Sequence, residues 1–338
     1  MTYLVSILIM GGVAAILGII LVLADHYLAN YGECRIKVND SISFTVNGGG
    51  TLLSYLIDGK IFIPSACGSR ATCGLCKVTV PDGGGSVLPT EEPFLTRSDV
   101  LKSIRLACQV KVKSDIRVIV PEKYLAVQEF EAIVAEIRTL TYDTKEITLK
   151  LKAPETISFK PGQYIQLRVP DTAEYRAYSI ASPPSQTDAI KLVVRLVPGG
   201  LCSTYIHRLL KVGDPVSFTG PYGECVLRED SISDIVCVAG GCGMAPFKSV
   251  ISHLFETGSA RNIFYFFGAQ AENDLYYIDE LQKLAEEHRN FKFIAALSSP
   301  ERGGRWTGER GLIHQVLDRY ISNGQNIEAY LCGPPAMI

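Results

Sequence analysis

The longest apolar run comes first. From Tyr3 through Ala24 nearly every position is apolar, and no charged side chain occurs between Met1 and Ala24. A bilayer core takes about 20 such residues as a helix, so the run predicts a transmembrane helix over residues 1–25. A signal peptide would begin with basic residues and be shorter. A buried core helix would be shorter too, and would carry a polar face. Gly11 with Ala15, and Ala14 with Gly18, have the spacing of a helix–helix packing face.

Beyond the run the pattern shortens and alternates. Residues 34–39 and 42–46 read as strands around an Asn39-Asp40 turn. Residues 51–57 read as a helix, and Pro64 opens a cysteine-bearing loop. Residues 77–80 return as a strand and run into Gly83-Gly84-Gly85. Ile116, Val118 and Val120 alternate before Pro121 closes the unit. These elements predict a small domain over residues 34–123.

Two further textures follow. Residues 133–137, 146–151, 163–169 and 191–196 are short, rich in β-branched and apolar side chains, and separated by glycine and proline. They predict an antiparallel β-barrel over residues 129–230, interrupted by one helical pattern at 204–211. From Asp234 strands (235–239, 263–267, 291–297 and near 329–331) alternate with helices (246–257, 277–288 and 311–321). That alternation predicts a parallel sheet with helices on its faces, a nucleotide-binding architecture over residues 231–338. It stops where another helix and edge strand are expected, which predicts a truncated domain and a native gene continuing past Ile338.

Charge and composition narrow the function. The chain has 338 residues and a formal net charge of −2, which gives no reason to expect nucleic-acid binding. The first basic residues, Arg35 and Lys37, follow the apolar run. The positive-inside rule then places the large C-terminal part in the cytoplasm, with a single pass through the membrane. Cytosolic thiols rarely form disulfides, so the ten cysteines are expected to be reduced or to ligate metal.

Four cysteines carry the strongest chemical signal. Cys67, Cys73 and Cys76 sit in one loop and Cys108 stands alone. The plant-type [2Fe–2S] spacing is C-x4-C-x2-C with a distant fourth cysteine, and here the first gap has one extra residue. The rival is a zinc knuckle, whose ligands come as two short-spaced pairs. On the expected barrel, Arg176-Ala177-Tyr178-Ser179 offers a cation, an aromatic plate and a hydroxyl. Gly199-Gly200-Leu201-Cys202-Ser203-Thr204 opens a helix as an anion site suited to a flavin pyrophosphate, or as plain capping. Gly240-Gly241-Cys242-Gly243-Met244-Ala245-Pro246 follows an apolar strand and opens a helix, the context a dinucleotide-binding turn requires. Cys332-Gly333-Pro334-Pro335 follows the last strand, where a parallel sheet forms its ligand crevice; a structural loop is the alternative.

These motifs in this order resemble the ferredoxin–NADP reductase superfamily with an N-terminal [2Fe–2S] domain. Residues 63–67 (IPSAC), 88–91 (LPTE), 175–179 (YRAYS) and 306–308 (WTG) are similar within it to the F-subunit family of Na+-translocating NADH:quinone reductases. The resemblance covers essentially the whole chain. It implies a multidomain fold: a transmembrane helix, a β-grasp ferredoxin domain, a β-barrel FAD domain and a Rossmann-like NADH domain. It implies electron flow from NADH through FAD and the [2Fe–2S] cluster to membrane subunits of a respiratory complex and finally a quinone. It assigns Cys67, Cys73, Cys76 and Cys108 to the cluster. Arg176, Gly200, Ser203 and Thr204 go to the flavin pyrophosphate, with Tyr178 against the flavin ring and Ser179 near its reactive nitrogen. Gly241, Gly243, Pro246 and Gly333 go to NADH, with Cys332 beside the nicotinamide and Glu272 disfavouring a 2′-phosphate. Ser179 and Cys332 are the candidate catalytic residues. Two other readings stay open: a reductase feeding an oxygenase of the phenol or methane hydroxylase type, and a non-catalytic electron carrier.

Overall fold

The computed structural model describes residues 2–28, 31–172, 174–300, 306–321, 324–334 and 337–338. Two compact units result, Met1–Val127 and Gln128–Ile338.

In the first unit, helix α1 (Thr2–Leu28) is 27 residues long, and its described apolar side chains, such as Ile9, Met10, Ile16 and Ile20, are exposed. Over the described residues alone, no helix is long and apolar enough to cross a membrane. The rest of the unit runs β1 (Glu33–Val38), β2 (Ile42–Asn47), α2 (Leu52–Asp58), β3 (Lys77–Asp82), α3 (Arg97–Leu101), β4 (Ile104–Leu106), β5 (Ile116–Ile119) and α4 (Glu122–Leu125). The sheet order is β2-β1-β5-β3-β4, with β1 and β5 parallel and the other pairs antiparallel. β1 alternates because one face is buried: Cys34, Ile36 and Val38 enter the core with Leu52, Leu53 and Leu56 of α2. Thr51 caps α2 by accepting the Ser54 N–H at 3.2 Å. The Asn39-Asp40 turn takes positive φ at both residues (48° and 58°), a conformation these short polar side chains tolerate. Asn39 also brackets Val120, accepting its N–H at 2.7 Å and donating to its carbonyl at 2.8 Å.

The second unit opens with β6 (Gln128–Thr139), β7 (Thr144–Ala153), β8 (Tyr164–Arg168), β9 (Tyr175–Ser179), β10 (Ala189–Arg195), α5 (Leu201–Arg208) and β11 (Pro215–Tyr222). Their order is β10-β7-β6-β11-β8-β9. An antiparallel bridge from Ile180 to Leu192 joins the two ends and closes the barrel. Val134, Ile147, Ile165 and Phe218 fill it, and Cys202 and Ile206 of α5 pack against that core.

The unit continues with β12 (Asp234–Gly240), α6 (Met244–Glu256), β13 (Ile263–Ala269), α7 (Ile278–Glu287), β14 (Phe291–Leu297), β15 (Glu309–Arg310), α8 (Ile313–Tyr320) and β16 (Ile327–Cys332). All pairs are parallel, in the order β15-β14-β13-β12-β16. β12 is an interior strand, between β13 and β16, and is buried on both faces, which explains its unbroken apolar run. β16 lies on the side of β12 opposite β13, so the strand order reverses at β12. Such a reversal opens a crevice beyond the carboxyl ends of the strands, where Gly240 and Cys332 end their strands.

Candidate functional site: a thiol loop and two joined cavities

The cysteine loop has an unusual backbone. Gly68, Ser69, Ala71 and Gly74 take φ values of 64°, 66°, 54° and 66°. Side-chain-bearing residues seldom adopt such values, and clusters of them mark sites where the backbone serves a function. Here they aim amides inward. The Arg70 and Thr72 N–H groups reach the Cys67 sulfur, that of Ala71 reaches Cys108, and that of Leu75 reaches Cys73. Gly74 is also packed closely, since a Cβ there would sit 2.6 Å from the Phe94 ring.

The four thiols stand as two pairs, Cys67 with Cys73 and Cys76 with Cys108. The Cys76 thiol hydrogen-bonds to Cys108, which brings the Cys108 thiol down to about 6 against the opposing effect of burial. The same bond, with burial, pushes Cys76 up. Among the described residues no three metal-binding side chains gather as for one ion. A single zinc needs four converging ligands, whereas a [2Fe–2S] cluster takes two thiolates at each iron. Two pairs inside a cradle of amides fit the donor set of a [2Fe–2S] cluster.

A buried ion pair ties the segment after β3 to β4. Arg105 donates to Glu91 from Nε and Nη2 (3.0 and 2.6 Å), and from Nη1 to the carbonyls of Gly84 and Gly85 (2.7 and 2.8 Å). Glu91 also accepts the N–H groups of Leu88 and Leu106, each at 2.9 Å. Arg105 thus ties both segments to β4, the strand that leads into Cys108, and the Ala107 N–H donates to the Cys76 carbonyl at 2.9 Å.

In the second unit two cavities meet at the switch point of the parallel sheet. One, of about 410 Å³, lies between Tyr178, Ser179 and Val193 of the barrel and Cys242, Cys332 and Gly333 of the sheet. The other, of about 300 Å³, runs past Gln270, Asp274, Tyr276, Ser298 and His314. Arg195, Gly240, Gly241 and Pro334 line both. Arg195 Nε donates to Asp143 Oδ2 at 2.6 Å. Burial and the neighbouring Cys202, to which its hydroxyl hydrogen-bonds, hold Tyr178 well above the usual phenol range. Burial also raises the Cys332 thiol, and raises Cys242 to about 11.

The other expected residues sort as follows. Arg176 stands on β9, paired with Glu174 and donating to the Tyr175 carbonyl at 2.9 Å. Gly200 is the N-cap of α5, so that helix starts three residues earlier than its pattern predicts. Ser203 is consequently inside its first turn, where its Oγ accepts the Val197 N–H at 3.1 Å; Thr204 follows, its N–H bonded to the Gly200 carbonyl at 3.0 Å. Gly241 takes φ +53°, and a Cβ on Gly243 would lie 1.8 Å from the Cys332 carbonyl oxygen. Pro246 is buried in the first turn of α6, a position its ring tolerates. Glu272 opens a short turn ending at Asp274; Asp274, not Glu272, lines the cavity and accepts from the Tyr142 hydroxyl at 3.1 Å. Arg195, Asp143, Asp274 and Tyr276 escape sequence reasoning, because no local motif surrounds them.

The residues present fit the cofactors implied. Glycines leave the second unit's cavities open where side chains would fill them, and the barrel supplies an aromatic ring and a hydroxyl at one wall. Comparison with known proteins agrees. Residues 36–113 match the family described as "2Fe-2S iron-sulfur cluster binding domain", residues 131–226 "Oxidoreductase FAD-binding domain", and residues 237–338 "Oxidoreductase NAD-binding domain". Among solved structures, the Amycolatopsis cytochrome P450 reductase GcoB is 29% identical, with a TM-score of 0.69 over 90% of this chain and 92% of that one. The ferredoxin reductase in carbazole 1,9a-dioxygenase is 26% identical, with a TM-score of 0.69 over 90% and 91%. The F subunit of the Na(+)-translocating NADH-quinone reductase of Marinomonas sp. (strain MWYL1) is 35% identical over 96% of this chain and 90% of its own length. Its counterpart in Neisseria meningitidis (serogroup C, strain FAM18) is 33% identical over 96% and 91%. The chain belongs to the F-subunit family of Na(+)-translocating NADH-quinone reductases.

Proposed function

We propose that this chain is the NADH-oxidising, membrane-anchored subunit of an Na+-translocating NADH:quinone reductase. Electrons enter from NADH and leave to membrane subunits and finally a quinone. When bound, FAD accepts a hydride and releases electrons singly, and a [2Fe–2S] cluster carries them one at a time. The observation that carries the reading is the junction of the two cavities, whose shared lining of Arg195, Gly240, Gly241 and Pro334 lets a dinucleotide reach the flavin-side wall.

The chain's own residues then divide the work. Arg176, Gly200, Ser203 and Thr204 hold the flavin pyrophosphate, the helix N-terminus adding its unpaired amides. Tyr178 backs the flavin ring and Ser179 hydrogen-bonds beside its reactive nitrogen. Gly241, Gly243 and Pro246 shape the turn under the dinucleotide, Gly333 leaves room, and Cys332 flanks the nicotinamide. Asp274, with Glu272 near it, repels a 2′-phosphate and so favours NADH over NADPH. Cys67, Cys73, Cys76 and Cys108 hold the cluster. For the anchor, the 27 residues of α1 reach about 40 Å at 1.5 Å per residue, more than the ~30 Å hydrocarbon core. Arg35 and Lys37 after it support a single pass in the bacterial inner membrane, with the chain beyond α1 on the cytoplasmic side.

The test is anaerobic addition of NADH to the full chain in membranes. Flavin absorbance should bleach and the reduced-cluster EPR signal should appear, with a much smaller response to NADPH. Absence of bleaching in FAD-loaded protein would sink the reading. A second reading, a reductase that feeds an oxygenase, is favoured by the likeness to the P450 and dioxygenase reductases. Partition into the soluble fraction, without quinone reduction in native membranes, would select it.

A further inference from the structure

Where barrel and nucleotide-binding sheet meet within the second unit, one carboxylate is buried without touching either cavity. Glu146, on β7, is 2% exposed. Burying an ion pair adds little net stability compared with apolar packing, and such groups are retained in some proteins because they fix one arrangement. Glu146 faces three partners. The Tyr277 hydroxyl donates to its Oε2, Lys248 Nζ of α6 lies 3.3 Å from the same oxygen, and Lys191 Nζ of β10 lies 3.7 Å from Oε1. Lys248 also sits 3.6 Å over the Tyr277 ring and 3.5 Å from Glu280, which in turn pairs with Arg138 of β6 at 3.0 Å.

Tyr277 has a second peculiarity. It caps α7 in the left-handed region, φ 60°, where a bulky side chain is strained and must be held by its surroundings. Its neighbour Tyr276 turns the other way. The Tyr276 hydroxyl donates to the Gly241 carbonyl at 2.8 Å, inside the glycine turn common to both cavities. Two consecutive tyrosines thus link a barrel carboxylate to the nucleotide turn. Lys248 joins the same carboxylate to α6, the helix that this turn opens.

We infer that Tyr277 is a positioning residue for NADH: hooked to Glu146 of the barrel, it sets the kink that lets Tyr276 hold the Gly241 turn in register with the flavin-side cavity. The inference rests on the NADH-oxidising reading above. Nothing in it requires Tyr277 to touch a cofactor. Tyr277→Phe deletes only the hook, and a hydrogen bond to a charged group is worth about tenfold or more in an equilibrium constant.

The experiment uses the full FAD-loaded chain and compares Tyr277→Phe, Tyr276→Phe and the double variant. Tyr277→Phe should raise KM for NADH about tenfold, with kcat, FAD content and the dithionite-reduced cluster spectrum unchanged. The double variant should be no worse than the more impaired single variant, as for two residues acting through one path. Additive increases would overturn the inference, as would an unchanged KM in Tyr277→Phe. Parallel losses of FAD and kcat would also overturn it, because they mark a merely structural contact. A wild-type protein that NADH does not reduce would instead remove the functional reading on which the inference rests.

Discussion

Two glycines in one turn are required for different physical reasons. Gly241 takes φ +53°, where any Cβ is strained, whereas the φ of Gly243 is −60° and suits every residue. Space decides the second case, because a Cβ would fall 1.8 Å from the Cys332 carbonyl oxygen. That oxygen is backbone and cannot swing aside as a flexible side chain could, so the turn and the loop after β16 must part. Gly243→Ala should therefore slow flavin reduction by NADH more than tenfold and destabilise the second unit by about 1–3 kcal/mol, the usual cost of overpacking. Stopped-flow bleaching and a urea midpoint measure the two effects; wild-type values would show that the loops can separate freely. The glycines were legible in the sequence because the motif follows an apolar strand and opens a helix. Arg195 was not. It ends a barrel strand 46 positions from Gly241, and only closure of the barrel against the sheet brings the two together. Asp274 is hidden for a similar reason: on sequence it cannot be told from Glu272, and the turn that faces it inward is a property of the fold.

At the scale of elements, β4 shows how a short strand can organise a site. Burial alone would raise the Glu91 carboxyl, but Arg105 and the amides of Leu88 and Leu106 hold it below the usual carboxylate range. A folded-state value depressed in this way contributes stability above the unfolded value of about 4.3, and that contribution is lost as pH falls through the folded value. Arg105→Met leaves the carboxylate buried and unpaired, at a cost of about 3–5 kcal/mol near neutrality. The deficit should shrink as pH falls through the carboxyl's value in the variant, which burial without Arg105 raises, because the lone carboxyl then protonates. Urea midpoints at pH 7 and pH 4 measure it, and an equal deficit at both would remove the Glu91 charge from the explanation. None of this network could be read ahead of the structure. β4 has three residues, too few for a period to emerge. β11 carries Gly220 and Pro221, which read as breakers although the strand passes through them. β1 and β12 were legible because their environments are simple, one-sided burial giving alternation and two-sided burial an unbroken run. The start of α5 is hidden in the sequence because its N-cap is a glycine, which leaves no side chain to mark the boundary.

At the scale of the molecule, the four cysteines proposed as cluster ligands and the paired cavities lie in different units, each with its own buried core. Cys76 and Cys108 are buried in the first core, whereas Cys73 is half-buried in its loop, so a change at Cys73 removes a proposed ligand with little loss of packing. Cys73→Ala should abolish the reduced-cluster EPR signal and electron delivery to the membrane partner. NADH should still bleach the flavin at the wild-type rate, and ferricyanide, which can take electrons directly from a flavin, should still be reduced. The contrast separates ligand loss from unfolding, since a collapsed first unit would also expose its core and raise dye binding. Iron and sulfide retained in Cys73→Ala would refute the ligand assignment. Parallel loss of bleaching would mean that the cavities of the second unit depend on the first, and that the two units do not act as consecutive electron carriers in one chain.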